Sequence, residues 1–312
     1  MPDPEKKTIS ATEASALVGV NPYVTKWMLY QKFKNGMSLD KGGDSRMDWG
    51  KKLQPLILEQ VAQDKHLEVV PNVETYHRRK RLGCTRDATI LSPDRGPGAL
   101  EIKCVFDYRV WMTTWNGGEN VPRHYEIQLQ TQMLVGDGEA DDGAKVRGGP
   151  PYAWGIIAVW VCSDMYYFER RPIHDLWALL VHESGQFFSD IDDGRCPDPF
   201  GAAIETPLLN KVYAPKPDSV LDLSKEHSHI ETATAVRDFK KFDEDWRFNQ
   251  LAAERLKARL LGLAKDYERV LLPCGINYKV RKSGKGRIIV PYVPDVLAPP
   301  PPPPELTKGT II

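Results

Sequence analysis

Residues 99–104 read ALEIKC, a glutamate and a lysine one residue apart in an otherwise apolar stretch. Side chains alternate across a strand, so Glu101 and Lys103 share one face and Leu100, Ile102 and Cys104 the other. That first face either meets water, with a cross-strand ion pair as its content, or lines a polar site. The extended segment just before it, CTRDATI at 84–90, carries Asp87, and the turn-rich SPDRGPG at 92–98 joins the two. An antiparallel return brings Asp87 close to Glu101. Two carboxylates that near repel unless a cation lies between them. Oxygen ligands that leave room for water suit Mg2+. A lysine alongside would orient and help deprotonate a metal-bound water and offset phosphate charge. The chemistry such a trio offers is phosphodiester hydrolysis.

Composition neither advertises nor forbids that substrate. The 312 residues hold 42 basic and 42 acidic side chains, so any polyanion must be met by local patches such as HRRKR at 77–81 or KVRKSGKGR at 279–287. Acid is segregated in DGEADD at 137–142 and SDIDDG at 189–194. Five cysteines without a C-x-x-C pair disfavour a disulfide framework, a zinc site or an iron–sulfur cluster. The amino terminus lacks the apolar core of a signal peptide. The longest apolar run, WGIIAVWV at 154–161, is too short to span a bilayer. These features predict a cytoplasmic protein with reduced thiols and no membrane partner.

The elements that must hold the trio follow from periodicity. Ser10 with Glu13 forms a capping-box pattern opening a helix that stops at Gly19, and a second helix follows at 25–35. Residues 49–66 form a third, with Leu53, Leu56, Ile57 and Val61 on one stripe. Extended segments are expected at 68–76, 83–91 and 99–105, a helix at 122–135, a hairpin from 153–162 and 165–170, and a helix at 173–190. This predicts an α/β (α+β) fold, a central mixed β-sheet flanked by helices. Prolines and turn residues mark 206–223 as a linker. Beyond it, 224–296 reads as a helical region closed by a basic β-hairpin. Its heptad spacing runs through Phe239, Phe242, Trp246, Asn249, Ala253, Leu256, Leu260, Leu263, Tyr267 and Val270. Residues 297–312, with six prolines at 299–304, read as an extended tail.

Several stretches, in order, resemble the PD-(D/E)xK nuclease superfamily and, within it, the lambda-exonuclease-like, YqaJ-type phage recombination nucleases. They are ISATEASALVGVNPYVTKWMLYQK, WGKKLQPLILEQ, GCTRDATI, ALEIKC and HYEIQLQTQMLV, spread over residues 8–200. The resemblance implies a nuclease domain over 1–205 with a restriction-endonuclease-like core. It implies Mg2+, with Mn2+ as a substitute, held by Asp87, Glu101 and the backbone carbonyl of Ile102. Lys103 is the implied catalytic lysine, and Tyr125 and Gln128 line the site. Gln132 lies one helical turn beyond Gln128 and faces the same way. Read without the resemblance, Gln128, Gln130 and Gln132 make an ordinary exposed helix face. Thr12 falls where the resemblance implies a hydroxyl binding a DNA 5′ phosphate, with Ser10 nearby, although helix capping explains both equally. Trp111 and Trp115 either stack on bases or belong to the core.

The chain departs from the family pattern at Gln54, where a glutamate is usual. An amide can coordinate through its oxygen but brings no charge, so metal affinity should fall. Glu59, five residues on and about 140° round the helix, cannot replace it. The implied activity is 5′→3′ exonucleolytic hydrolysis of linear double-stranded DNA in phage-type recombination, with a single-strand annealing protein as partner and assembly as a homo-oligomer. The alternatives are a structure- or sequence-selective endonuclease, and a weakly active or inactive DNA-binding subunit motivated by Gln54.

Overall fold

The computed structural model describes residues 8–39, 45–72, 76–140, 149–213, 216–223, 246–272, 277–283 and 286–292, with 232, 234 and 236 besides. The elements, in chain order, begin with β1 (Ile9–Ser10), α1 (Ala11–Leu17), α2 (Lys26–Asn35) and α3 (Ser45–Lys65). Next come β2 (Glu68–Pro71), β3 (His77–Arg79), β4 (Leu82–Cys84), β5 (Ala88–Ser92) and β6 (Gly96–Val105). Helices α4 (Tyr108–Thr114) and α5 (Arg123–Val135) lead to β7 (Glu139–Ala140), β8 (Gly155–Val161), β9 (Asp164–Arg170) and α6 (His174–Asp192). The remainder comprises α7 (Thr206–Val212), β10 (Lys216–Asp222), α8 (Trp246–Ala264), β11 (Tyr267–Leu271), β12 (Asn277–Ser283) and β13 (Gly286–Tyr292). Two compact units divide this chain, Met1–Asp198 and Pro199–Ile312.

In the first unit a five-stranded sheet has the order β2-β5-β6-β8-β9. Only β6 and β8 run parallel within it; the other neighbours are antiparallel, so the sheet is mixed as expected. Its two faces are covered differently. Leu100, Ile102, Ala88, Ile90, Ile156 and Ala158 pack against Ile57, Leu58 and Val61 of α3. Ala99, Val105, Ile157 and Val159 face the other way, into a core shared with α1, α2, α5 and α6. The central strand β6 therefore contributes alternate residues to two separate layers.

Sequence reading treated 83–91 as one strand. It is two, in different sheets. β4 belongs to a small sheet of order β1-β4-β3-β7, and β5 belongs to the main one. The break falls at Thr85–Asp87, where Arg86 is buried and donates to the carbonyl of Gly136 at 2.5 Å and to Asp137 at 3.2 Å. A guanidinium pulled sideways in this way prevents a continuous ladder. Close packing fixes the hairpin beyond it: a Cβ on Gly98 would lie 2.6 Å from the Trp154 ring. Gly98→Ala should accordingly cost about 1–3 kcal/mol through overpacking, read as a lower urea midpoint with an unchanged slope.

The second unit has its own sheet, β10-β11-β12-β13, with β10 and β11 parallel. Ala258, Leu260, Leu261 and Ala264 of α8 are buried, as are Val270, Tyr278 and Val280 of the sheet, and the Tyr278 hydroxyl donates to the Leu260 carbonyl at 2.8 Å. The stretch read as a linker, 206–223, holds α7 and β10. The heptad reading also ran too far. Lys265 takes a left-handed φ of 47°, which ends α8, and Tyr267 and Val270 sit in β11. Phe239 and Phe242 and the 297–312 tail lie outside the described residues. The basic hairpin forms as β12 and β13, but its Arg287 is turned inward to the carbonyls of Leu209 and Lys265.

Candidate active site

Register brings the predicted carboxylates together. β5 pairs antiparallel with β6 with Ala88 opposite Leu100, and one further step sets Asp87 opposite Glu101. Asp87 Oδ2 accepts the Ile102 N–H at 2.6 Å, and its Oδ1 accepts the Gln54 amide at 3.1 Å. Burial pushes the Asp87 carboxyl up to about 7, and the charge of Glu101 adds to the rise. The Ile102 N–H and the Lys103 ammonium pull the other way without cancelling it.

Glu101 is 4% exposed and accepts three side-chain hydrogen bonds. Its Oε1 accepts Lys103 Nζ at 2.5 Å and Gln128 Nε2 at 2.6 Å; its Oε2 accepts Gln132 Nε2 at 2.5 Å. Lys103 also donates to Gln128 Oε1 at 3.1 Å and stands 4.5 Å above the Tyr125 ring. Gln128 and Gln132 reach one carboxylate because residues four apart share a helix face. Gln130 points elsewhere, accepting from the Ile173 N–H and the Trp177 indole and so fastening α6. All three glutamines are buried, which removes the exposed-face reading. Full burial also corrects the expectation that Gln132 touches DNA: it has no surface to offer a phosphate.

Tyr125 sits between Lys103 and Trp115, whose ring stacks on it at 5.4 Å, and its phenol is pushed up chiefly by burial. Trp111 and Trp115 are each 1% exposed, so they form the wall behind Tyr125 and cannot stack on bases. Next to them, burial holds His124 at about 4, with Lys103 nearby reinforcing the drop. At α1, Ser10 donates to the Glu13 carboxylate at 2.8 Å, and Glu13 also accepts the Ser10 N–H at 3.3 Å. A carboxylate thus occupies the helix start where a phosphate was expected, which supports capping for Ser10. Thr12 is exposed and offers its carbonyl to Asn21.

The donor set suits a hard divalent cation. Two carboxylates are brought together in a partly buried place, where burial first and their mutual repulsion second disfavour both being charged unless a cation lies between them. Among the described residues no group of three or more His, Cys, Asp or Glu side chains could hold a metal. Water and substrate would have to complete the shell, as Mg2+ permits. Gln54 meets Asp87 through its amide nitrogen, so joining the shell requires turning that amide over. Sequence reasoning missed Arg86. Its signal was a charged residue directly before Asp87 in a buried stretch.

A mixed sheet flanked by helices, with an aspartate, a glutamate and a lysine converging on its central hairpin, is similar to the arrangement that the sequence resemblance leads one to expect. Residues 4–139 match the family model of the YqaJ-like viral recombinase domain. The matched span includes Gln54, Asp87, Glu101, Lys103, Tyr125, Gln128 and Gln132. Among solved structures, an alkaline exonuclease (LHK-Exo) from Laribacter hongkongensis is 16% identical over 61% of this chain and 90% of its own, with a TM-score of 0.44. A phage related exonuclease from Haemophilus somnus is 12% identical over 60% of this chain and 96% of its own, with a TM-score of 0.45. No curated protein sequence matches the chain.

Proposed function

We propose that this chain is a Mg2+-dependent deoxyribonuclease that degrades linear double-stranded DNA, 5′ to 3′, in phage-type recombination. The observation that carries the reading is the single hydrogen-bonded network joining Glu101, Lys103 and Gln128, with Asp87 anchored on the intervening Ile102 N–H. Asp87 and Glu101 would hold the cation, or Mn2+ in its place. When bound, it supplies Lewis acidity at the scissile phosphate and makes water acidic enough to attack near neutral pH. Lys103 has three ammonium protons, and two are spent on Glu101 and Gln128. The third is left to orient the attacking water or to meet a phosphate oxygen. Gln128 keeps the ammonium from swinging away, and the Tyr125 ring bounds its other side. On this reading the partners are duplex DNA, an annealing protein that takes the exposed 3′ strand, and further copies of the chain, in the host cytoplasm. No described helix is long and apolar enough to cross a membrane.

Incubation with end-labelled linear duplex and with closed circular duplex tests the proposal. Mg2+-dependent release of nucleotides from the linear substrate, with circles untouched, is expected. Nicked circles would favour an endonuclease. One observation favours a slow or non-catalytic variant: the uncharged Gln54 directs its nitrogen at Asp87. Gln54→Glu should therefore lower the Mg2+ concentration needed for half-maximal rate, by roughly 10-fold if it gains one metal-bound carboxylate. A variant no better than the parent would show that the amide is no handicap.

A further inference from the structure

Gln132 is fully buried at a position on α5 flanked by Leu129 and Met133, both also fully buried. Packing alone would fill such a position with an apolar residue. Its Nε2 donates to Glu101 Oε2 at 2.5 Å, while its Oε1 is buried without a hydrogen-bond partner. A buried unmatched acceptor is costly, and its persistence asks for a reason. Turning the amide over would give no relief, because it would press a carbonyl oxygen against the carboxylate. The orientation is therefore dictated by Glu101 and not by the surroundings of Gln132.

Counting acceptor positions sharpens this. A carboxylate oxygen has two lone-pair sites. On Glu101 Oε1 both are taken, by Lys103 and Gln128; on Oε2 Gln132 takes one and leaves one. We infer that Gln132 is a positioning residue, fixing the Glu101 carboxylate plane so that the remaining site on Oε2 is directed at a divalent cation. This rests on the nuclease reading above. Gln128 and Gln132 grip opposite oxygens from one rigid helix, so the carboxylate cannot rotate without moving α5.

The test is Mn2+ binding by the full chain without DNA, followed by the electron paramagnetic resonance signal of free Mn2+. Gln132→Met and Gln132→Leu keep the bulk and remove the donor. Their Mn2+ dissociation constants should rise by roughly 10–100-fold, the usual penalty for losing a group that orients a metal ligand. Their melting temperatures in EDTA should not fall, because the orphaned oxygen goes too. Gln130→Met, at an equally buried glutamine that makes no contact with Glu101, should leave Mn2+ affinity unchanged. Wild-type Mn2+ affinity in both Gln132 variants would overturn the inference while sparing the nuclease reading. So would their failure to fold in EDTA, which would make the side chain a structural one. A wild-type chain that binds no Mn2+ would sink both.

Discussion

Lys103→Ala is expected to slow Mg2+-dependent cleavage of linear duplex by about 10²–10³-fold, the usual consequence of losing one preorganised donor at a reacting centre. The Lys103 side chain is 18% exposed and its ammonium is held on three sides, by Glu101, Gln128 and the Tyr125 ring, so its remaining proton has a fixed direction. Alanine removes that direction together with the charge. Arginine should rescue little, because a planar guanidinium presents its donors as a rigid fork and not as a compact ammonium. Single-turnover rates at saturating Mg2+ isolate the effect from metal affinity. Unchanged cleavage in the alanine variant would remove the lysine from the chemistry.

Asp87→Asn should act through the metal. Losing one of two anionic ligands forfeits several kcal/mol of cation-derived stabilisation, on the order of 10³-fold in rate at about 1.36 kcal/mol per decade. The effect on the cation-free protein has the opposite sense. The folded chain holds the Asp87 proton up to about pH 7, against an ordinary value of 3.8. The folded state then binds more protons than the unfolded one through this window, so stability falls as pH rises across it. Asparagine keeps the acceptor for the Ile102 N–H and abolishes the repulsion with Glu101. In EDTA at neutral pH the variant should melt higher than the parent, and its melting temperature should vary less between pH 4 and 7. Added Mg2+ should raise the melting temperature of the parent and leave the variant unmoved.

Much of the first unit was legible because its signals are local. The stripe of Leu53, Ile57 and Val61 gave α3, although Leu56, expected on the same stripe, is 63% exposed. The apolar run ending at Val161 gave β8, and the turn residues between Ser92 and Gly98 gave the hairpin whose register sets Asp87 opposite Glu101. What stayed hidden depends on contacts distant in sequence. Nothing local in CTRDATI says that Arg86 will be drawn to Gly136 and split the strand. The two roles of the α5 glutamines were equally opaque, since alternate positions read as one polar face while the helix is covered on both sides. In the second unit a three-four spacing continued past the helix end by coincidence. A strand places Val270 in the core as readily as a helix would.

The alternation of β6 between two layers has a consequence for how such a chain can vary. Residues added to the turn between Ser92 and Gly96 leave the pairing beyond it intact, so loop length is a free variable. Parity along the strand is not. A single deletion between Gly98 and Glu101 would rotate both charged side chains into the greasy interface with α3 and swing Leu100 and Ile102 out in their place. One lost codon there would exchange the reactive surface for the hydrophobic one, leaving each where the other belongs.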